Sequence, residues 1–394
     1  FKQKNIRRLY ENNRSYFSVL THELDYIAKK DGTYQDKLSK NGKEAIIVRK
    51  KGDLDNEDIT KLIITIEGGH ALANSSIYTA QRDFQTFEKD ILDNLHKIKT
   101  TWPFPVFSLT LSHFTYNFLC GQSWAIPLPG IFRFTNIKAL EDLFAKNQLI
   151  TPAGFKIIEK ALKNTEGEYR ILIDVKHTHV VTRYLYYEYL KKQNLWGKVP
   201  IISSHTGVSG RKDYCDAFFI FPVNKKEDKD EFEKFNVWDI NLCDEEIRFI
   251  IESKGLIGIS LDQRILGAGN NDFKCLIRKT LKQRKIRNWK HWFHTAVFFE
   301  NIAHIIHVGG KEAWNHVCIG SDFDGIIDPI DSCPTAAYLK VLESELIQNI
   351  DKIYLGNDYK KELHLDDTFT ISKALRKVFY ENQQDFVKKN FPVE

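Results

Sequence analysis

Leu62-Ile63-Ile64-Thr65-Ile66-Glu67 is an apolar, β-branched run that stops at a carboxylate. Such residues suit a pleated, buried strand, and the run is too short for a buried helix. Four further runs end in the same way. Val106–Leu111 stops near His113, Ile171–Val175 near His177, Val199–Ile202 near His205, and Val317–Ile319 near Asp322. One such ending says little. Five of them, separated by helical stretches, read as the rim of one active site, because the strand C-terminal ends of a parallel barrel all open on one face and carry the chemistry.

The stretches between the runs have helical periodicity. Thr86–Lys99 places Phe87, Ile91, Leu92 and Leu95 on one face. Ile137–Asn147 is a second candidate, and a third begins at Pro152, with proline in its first turn. Val180–Gln193, Asp244–Ser253, Trp292–His307, Cys333–Ile350 and Ile371–Lys388 follow, with a further strand at Leu256–Leu261. The segment near 206–240 reads as an irregular insert whose charged run Asn224–Lys234 is a solvated loop. The basic run Arg278–Lys290 reads as a solvated face. Alternating β and α elements imply a parallel sheet. At this length a (β/α)8 TIM barrel is favoured over a doubly wound sheet, and no Gly-x-Gly-x-x-Gly follows a strand to support a dinucleotide fold. We expect one catalytic barrel domain over 1–394, with a C-terminal helical extension near 334–394.

Composition narrows the function classes. The 394 residues carry 57 basic and 52 acidic side chains, a net charge of +5. The two signs are interspersed, which is not the clustered basic face of a nucleic-acid binder. No apolar run approaches the roughly 18–20 residues of a membrane span. Six scattered cysteines without a Cys-x-x-Cys pair suggest reduced thiols and a cytoplasmic location. Methionine is absent even at position 1, and we expect the chain to continue upstream of Phe1.

Histidines and carboxylates on neighbouring strand ends form a ligand set suited to zinc, manganese or iron(II). A glutamate with two oxygens can bridge two metals, which together deprotonate one water. An aspartate nearby can move that proton to a leaving amine, and a further histidine can steady the oxyanion. Glu67, His177 and His205 are the candidate ligands, Asp322 the candidate base and His113 the candidate electrophile.

Five motifs then occur in order: Ile66-Glu67-Gly68-Gly69-His70, Leu109-Thr110-Leu111-Ser112-His113, Ile173-Asp174-Val175-Lys176-His177, Ser203-Ser204-His205-Thr206 and Ile319-Gly320-Ser321-Asp322-Phe323-Asp324-Gly325. The series resembles the membrane dipeptidase (renal dipeptidase) family of the amidohydrolase superfamily, over about residues 62 to 325. The resemblance implies a (β/α)8 barrel of the metal-dependent hydrolase type and two divalent metal ions, zinc by preference. It implies Glu67 as the bridging ligand, His177 and His205 as ligands of the more open metal, His113 against the tetrahedral intermediate and Asp322 as proton carrier. The reaction implied is cleavage of a peptide or amide bond of a small substrate by a metal-bridged hydroxide. A second copy of the chain is the expected macromolecular partner; no nucleic acid and no transmembrane segment are expected.

Two departures stand against the resemblance. The family's first strand ends in His-x-Asp, and only Thr21-His22-Glu23-Leu24-Asp25 offers a match before Glu67, in helical surroundings and at the wrong spacing. We expect the first strand upstream of Phe1. The family also places an Arg in an Arg-Asn-x-x-Asp-Glu stretch to hold the substrate carboxylate, a bidentate task. Here the stretch reads Ile240-Asn241-Leu242-Cys243-Asp244-Glu245, so Arg211 or Lys212, just after His205, is the expected substitute, with Arg211 the candidate substrate contact. These departures keep two alternatives open: a non-catalytic barrel that acts as a binding protein, and an amidohydrolase on non-dipeptide substrates.

Overall fold

The computed structural model describes residues 15–30, 33–35, 37–40, 43–56, 58–74, 83–113, 117–123, 149–218, 234–286 and 289–393. The helix expected at Ile137–Asn147 lies outside them, as does nearly all of the charged run Asn224–Lys234. Two compact units make up the chain. Unit 1 comprises Phe1–Gln122, Leu128–Thr178 and Lys388–Glu394; unit 2 comprises Ser123–Pro127 and His179–Val387.

Unit 1 carries three parallel strands, β1 (Ile64–Glu67), β2 (Val106–Thr110) and β3 (Leu172–Asp174), paired in chain order. Glu67 lies opposite Thr110, and Thr110 opposite Asp174, so the three strand ends are in register. Helix α1 (Phe84–Thr100) follows β1, and α2 (Pro152–Leu162) follows β2. Asp83 caps α1 by accepting from Thr86 N at 3.0 Å, which satisfies one of the free N–H groups of its first turn. Its buried face carries Phe87, Ile91 and Leu95, as the periodicity predicts, together with Ile98, while Leu92 is only half-buried. Thr151 caps α2 in the same manner, with Pro152 at the first helical position. The ammonium of Lys99, on α1, donates to the carbonyls of Lys160 (2.5 Å) and Lys163 (2.9 Å) at the far end of α2, where a cation suits the helix dipole. Thr21-His22-Glu23-Leu24-Asp25 lies inside the helix Tyr16–Ala28 and ends no strand. That helix packs Leu24 and Ala28 against Ile47 and Phe104.

Unit 2 repeats the plan with β4 (Ile202–Thr206), β5 (Leu256–Ile259) and β6 (Val317–Ile319), again parallel and in chain order. Helix α3 (Val180–Lys192) precedes β4, α4 (Asp244–Glu252) follows it, and α5 (Asn271–Gln283) and α6 (Trp289–Gly309) follow β5. Helix α7 (Leu339–Ile353) and the helical run Ile371–Asn390 come after β6. The α/β class expected from the sequence is present within each unit, as parallel strands in chain order with helices between them.

Three details differ from the sequence reading. β4 begins at Ile202, not Val199, and runs on to Thr206, which places His205 inside the strand; Pro200 has no N–H to give a ladder, while Ser and Thr continue it. α7 begins at Leu339 instead of Cys333 because Pro334 and the extended Thr335 interrupt the chain first. Arg284, read as part of a solvated basic face, instead caps the end of α7. Its guanidinium donates to the carbonyls of Asp351 (3.1 Å), Lys352 (3.2 Å), Tyr354 and Gly356 (2.7 Å). Asp351 and Lys352 belong to the last turn, whose carbonyls a helix cannot satisfy internally, and Tyr354 and Gly356 follow it. No helix among the described residues is long and apolar enough to cross a membrane.

Candidate active site

The strand ends of unit 1 bring Glu67, His113 and His177 together. Nε2 of His177 lies 2.9 Å from Oε1 of Glu67, and Nε2 of His113 lies 3.6 Å from Oε2. The two imidazole rings meet edge to face, with centroids 4.7 Å apart. One ligand atom from each residue falls within 4.8 Å of the others, a spacing that can hold a metal ion. A carboxylate and two imidazoles are the donor types that borderline divalent metals take, so the residues fit such an ion.

Local backbone conformation aims these groups. Gly68 has φ +100°, and its N–H donates to Thr110 Oγ1 at 2.6 Å. A side chain there would put Cβ 2.5 Å from Cε1 of His70, so the Glu-Gly-Gly-His turn requires glycine at its first position. His177 itself has φ +64°, rare for a non-glycine residue and typical of functional positions. Asp174 closes the turn before it by accepting from Lys176 N at 3.0 Å.

Protonation suits metal binding. Burial pushes His177 down to about 4 against the opposing pull of Glu67, and burial also lowers His113. Burial alone would raise Glu67, but the hydrogen bond and charge of His177, with the charges of His113 and Lys176, bring it below the ordinary range. Neutral imidazoles beside a carboxylate are the state a metal ion needs. His70 packs edge to face on Tyr16 and is held neutral, down to about 4, by burial and then by His113.

In unit 2, His205 Nε2 lies 4.0 Å from Asp322 Oδ2, with both side chains partly shielded. Ser204 Oγ sits 2.8 Å from His205 Nδ1 and can orient the ring. Two glycines make room for this end of β4: a Cβ on Gly258 or on Gly320 would fall 2.0 Å from the Ser204 carbonyl oxygen. Asp322 and Asp324 both take positive φ, 58° and 67°, in a turn closed by Gly325 N donating to Asp322 O at 3.1 Å. Arg211 is half-buried after β4, and its carbonyl accepts from Asp244 N at 2.8 Å at the start of α4. Ile240 is 2% exposed.

Sequence reasoning missed Asp262 and Arg264. They follow β5, and the guanidinium grips the Asp262 carboxylate from Nε (2.9 Å) and Nη2 (2.5 Å). The signal was present as a sixth strand ending in an acidic residue, Leu261-Asp262.

Residues 233–358 match the model of the membrane dipeptidase family, peptidase family M19. That span contains Asp322, Asp262 and Arg264; Glu67, His113, His177, His205 and Arg211 lie outside it. No curated protein matches the chain. Among solved structures, a metallo peptidase from Rhodobacter sphaeroides, liganded with a phosphinate mimic of the dipeptide L-Ala-D-Ala, is 14% identical. The match covers 87% of this chain and 68% of that one, with a TM-score of 0.45. The dipeptidase AC, a metallo peptidase of family M19, is likewise 14% identical over 87% of this chain and 71% of its own, at a TM-score of 0.45. A probable dipeptidase, PvdM from Pseudomonas aeruginosa, is 14% identical over 88% and 74%, at 0.44.

Proposed function

We propose that this chain, which carries the membrane dipeptidase family pattern over residues 233–358, cleaves a peptide or amide bond of a small substrate with the help of bound metal, zinc by preference and two ions by expectation. The observation that carries the reading is the Glu67, His113 and His177 donor group at the strand ends of unit 1. Glu67 and His177 are assigned as metal ligands, and His113 as the group that steadies the oxyanion. A bound divalent metal supplies an acidified water and polarises the carbonyl. The roles of His205 as a further ligand, Asp322 as proton carrier and Arg211 as the cation for a substrate carboxylate come from the sequence resemblance. Asp322 would accept the proton of the attacking water and hand it to the leaving nitrogen. The six free cysteines support a reducing, cytoplasmic setting.

Metal analysis after zinc loading, with a panel of dipeptides, N-acyl amino acids and lactones, tests the reading. Bound zinc with turnover that Asp322→Asn lowers by several orders of magnitude supports it. A chain that takes up no metal, or an Asp322→Asn variant of unchanged activity, overturns it. The buried Ile240 favours the second reading, a binding protein without catalysis, which would show no turnover across the whole panel.

A further inference from the structure

We infer that Arg264 is a positioning residue that holds the loop presenting Asp322. The inference rests on the hydrolase reading above, in which Asp322 carries the proton.

Asp322 sits at the start of a loop that is poorly shielded. Asp324, Gly325 and Ile326 are exposed, Ile326 to 61%. Its backbone is also in a sparsely populated conformation, with two left-handed aspartates within three residues. Such strain persists only where surrounding structure over-determines it. A hydrogen bond from Gly325 N to Asp322 O closes the turn, and the Asp322 carboxylate packs against the Gly325 backbone, where a Cβ would fall 2.4 Å from Oδ1. The carboxylate therefore goes where the turn goes, and the turn needs an anchor on its far side.

That anchor is the segment after β5. Gln263 N donates to Asp328 O at 2.8 Å, Ile330 N donates to Leu261 O at 2.9 Å, and Asp262 bridges to Pro329. These contacts secure residues 328–330. Nearer to Asp322, Arg264 Nη2 donates to the Ile326 carbonyl at 2.6 Å. The same Nη2 grips Asp262 Oδ2 at 2.5 Å while Nε spans both carboxylate oxygens, at 2.9 and 3.1 Å. Asp262 is itself nearly buried, its side chain 5% exposed, and it accepts from Arg264 N at 2.9 Å. The guanidinium is thus fixed on one edge and free to fix the loop with another N–H. The guanidinium holds both partners in one fixed plane; a lysine ammonium, on a flexible stem, has no such fork to hold the loop in a set orientation to Asp262.

The test compares Arg264→Met, Arg264→Lys and Asp262→Asn in the zinc-loaded full chain. L-Ala-L-Ala and N-acetyl-L-Ala serve as probes, with amide hydrogen exchange at Gly325 measured alongside. Displacement of a reacting group by about 1 Å costs on the order of 100-fold. All three variants should therefore lower kcat by about 10- to 100-fold with KM nearly unchanged, speed exchange at Gly325 and keep their zinc. Full rescue by lysine would show that charge alone matters, and a rise in KM at constant kcat would make Arg264 a substrate contact; either overturns the inference. So does wild-type exchange at Gly325 in Arg264→Met, a result that needs no turnover to read. Active Asp322→Asn would instead sink the hydrolase reading and leave the Gly325 measurement standing.

Discussion

Arg183 and Glu246 meet as a fork inside unit 2: Nε lies 2.5 Å from Oε1 and Nη2 lies 2.8 Å from Oε2, with both side chains 2% exposed. Burial alone would lower the Arg183 pKa, but the Glu246 carboxylate overcomes it and keeps the guanidinium charged. Further donors go to the carbonyls of Asp239 (2.7 Å) and Asn241 (3.2 Å), on either side of Ile240. Tyr187 and Cys243 N donate to the same carboxylate, at 3.1 Å each. Removing one partner strands the other charge in a dry interior, which costs about 3–5 kcal/mol. Arg183→Met and Glu246→Gln should each lower the unfolding free energy read from urea titration by that much. A double replacement should cost less than the sum of the two, because no lone charge remains. Equal and additive losses would contradict the fork.

The donor group of unit 1 makes a separate prediction about metal. His177 contributes a ligand nitrogen and Glu67 a ligand oxygen, 2.9 Å apart. Loss of a partner outside the ligand shell commonly costs metal affinity 10–100-fold, and loss of a ligand should cost more than about 100-fold. His177→Ala and Glu67→Ala should therefore fail to retain zinc on gel filtration, measured as zinc per chain. His113→Asn should retain zinc and lose turnover, as fits an oxyanion partner. Zinc loss from His113→Asn would make it a ligand instead. A chelator should abolish turnover of the wild-type chain, and added zinc should restore it.

Glu168 should contribute to acid sensitivity. Its carboxylate accepts from Lys160 Nζ at 2.6 Å and lies 3.8 Å from both Lys99 and Lys163. The Lys160 hydrogen bond, then the charges of Lys160, Lys99 and Lys163, pull its pKa from 4.5 to about 2. A folded pKa below the unfolded one gives stability that is present above the unfolded value and lost as pH falls through the folded one. The window here runs from 4.5 down to about 2. Urea unfolding at about pH 5 and about pH 3 should show the wild type losing more stability between the two than Glu168→Gln does. Parallel losses would show that Glu168 is not the group responsible.

The strand endings were legible because two signals coincide there. A β-branched run specifies a strand, and the polar residue that stops it marks the end where chemistry collects. Glu67 and Asp322 were read in this way, and Gly68 and Gly320 follow from the close approaches the strand ends impose. What stayed hidden depends on contacts across sequence. Nothing local to Arg264 announces that its fork reaches the Ile326 carbonyl. Lys99 looks like a solvated last-turn lysine until α2 brings its carbonyls beside it. Arg284 sits in a basic run whose composition suggests solvent, and only the packing of α7 reveals a cap. The start of β4 was misplaced because Val199 and Ile201 are as apolar as any strand residue and wholly buried, although Pro200 cannot join a ladder.

The turn after β1 offers the most direct link between local conformation and the donor group. Gly68 holds φ +100° and ψ +113°, a sparsely populated region that costs an L side chain about 1–3 kcal/mol. A Cβ at this position would also fall 2.5 Å from Cε1 and 2.6 Å from Nδ1 of His70, and 3.1 Å from Cβ of His113. Overpacking of that kind adds about 1–3 kcal/mol. Gly68→Ala should therefore bear both costs, while Gly68→Ala with His70→Ala should bear mainly the backbone cost. The double variant is expected to melt above the single one in urea, even though it gives up the ring contact of His70 with Tyr16. Zinc should be weakened in both, because Glu67 is bonded directly to the residue whose backbone is displaced. A Gly68→Ala chain as stable as the wild type, with full zinc, would show that the turn tolerates a side chain and that His70 yields without cost. A double variant less stable than Gly68→Ala would show that His70 contributes more by packing than it obstructs.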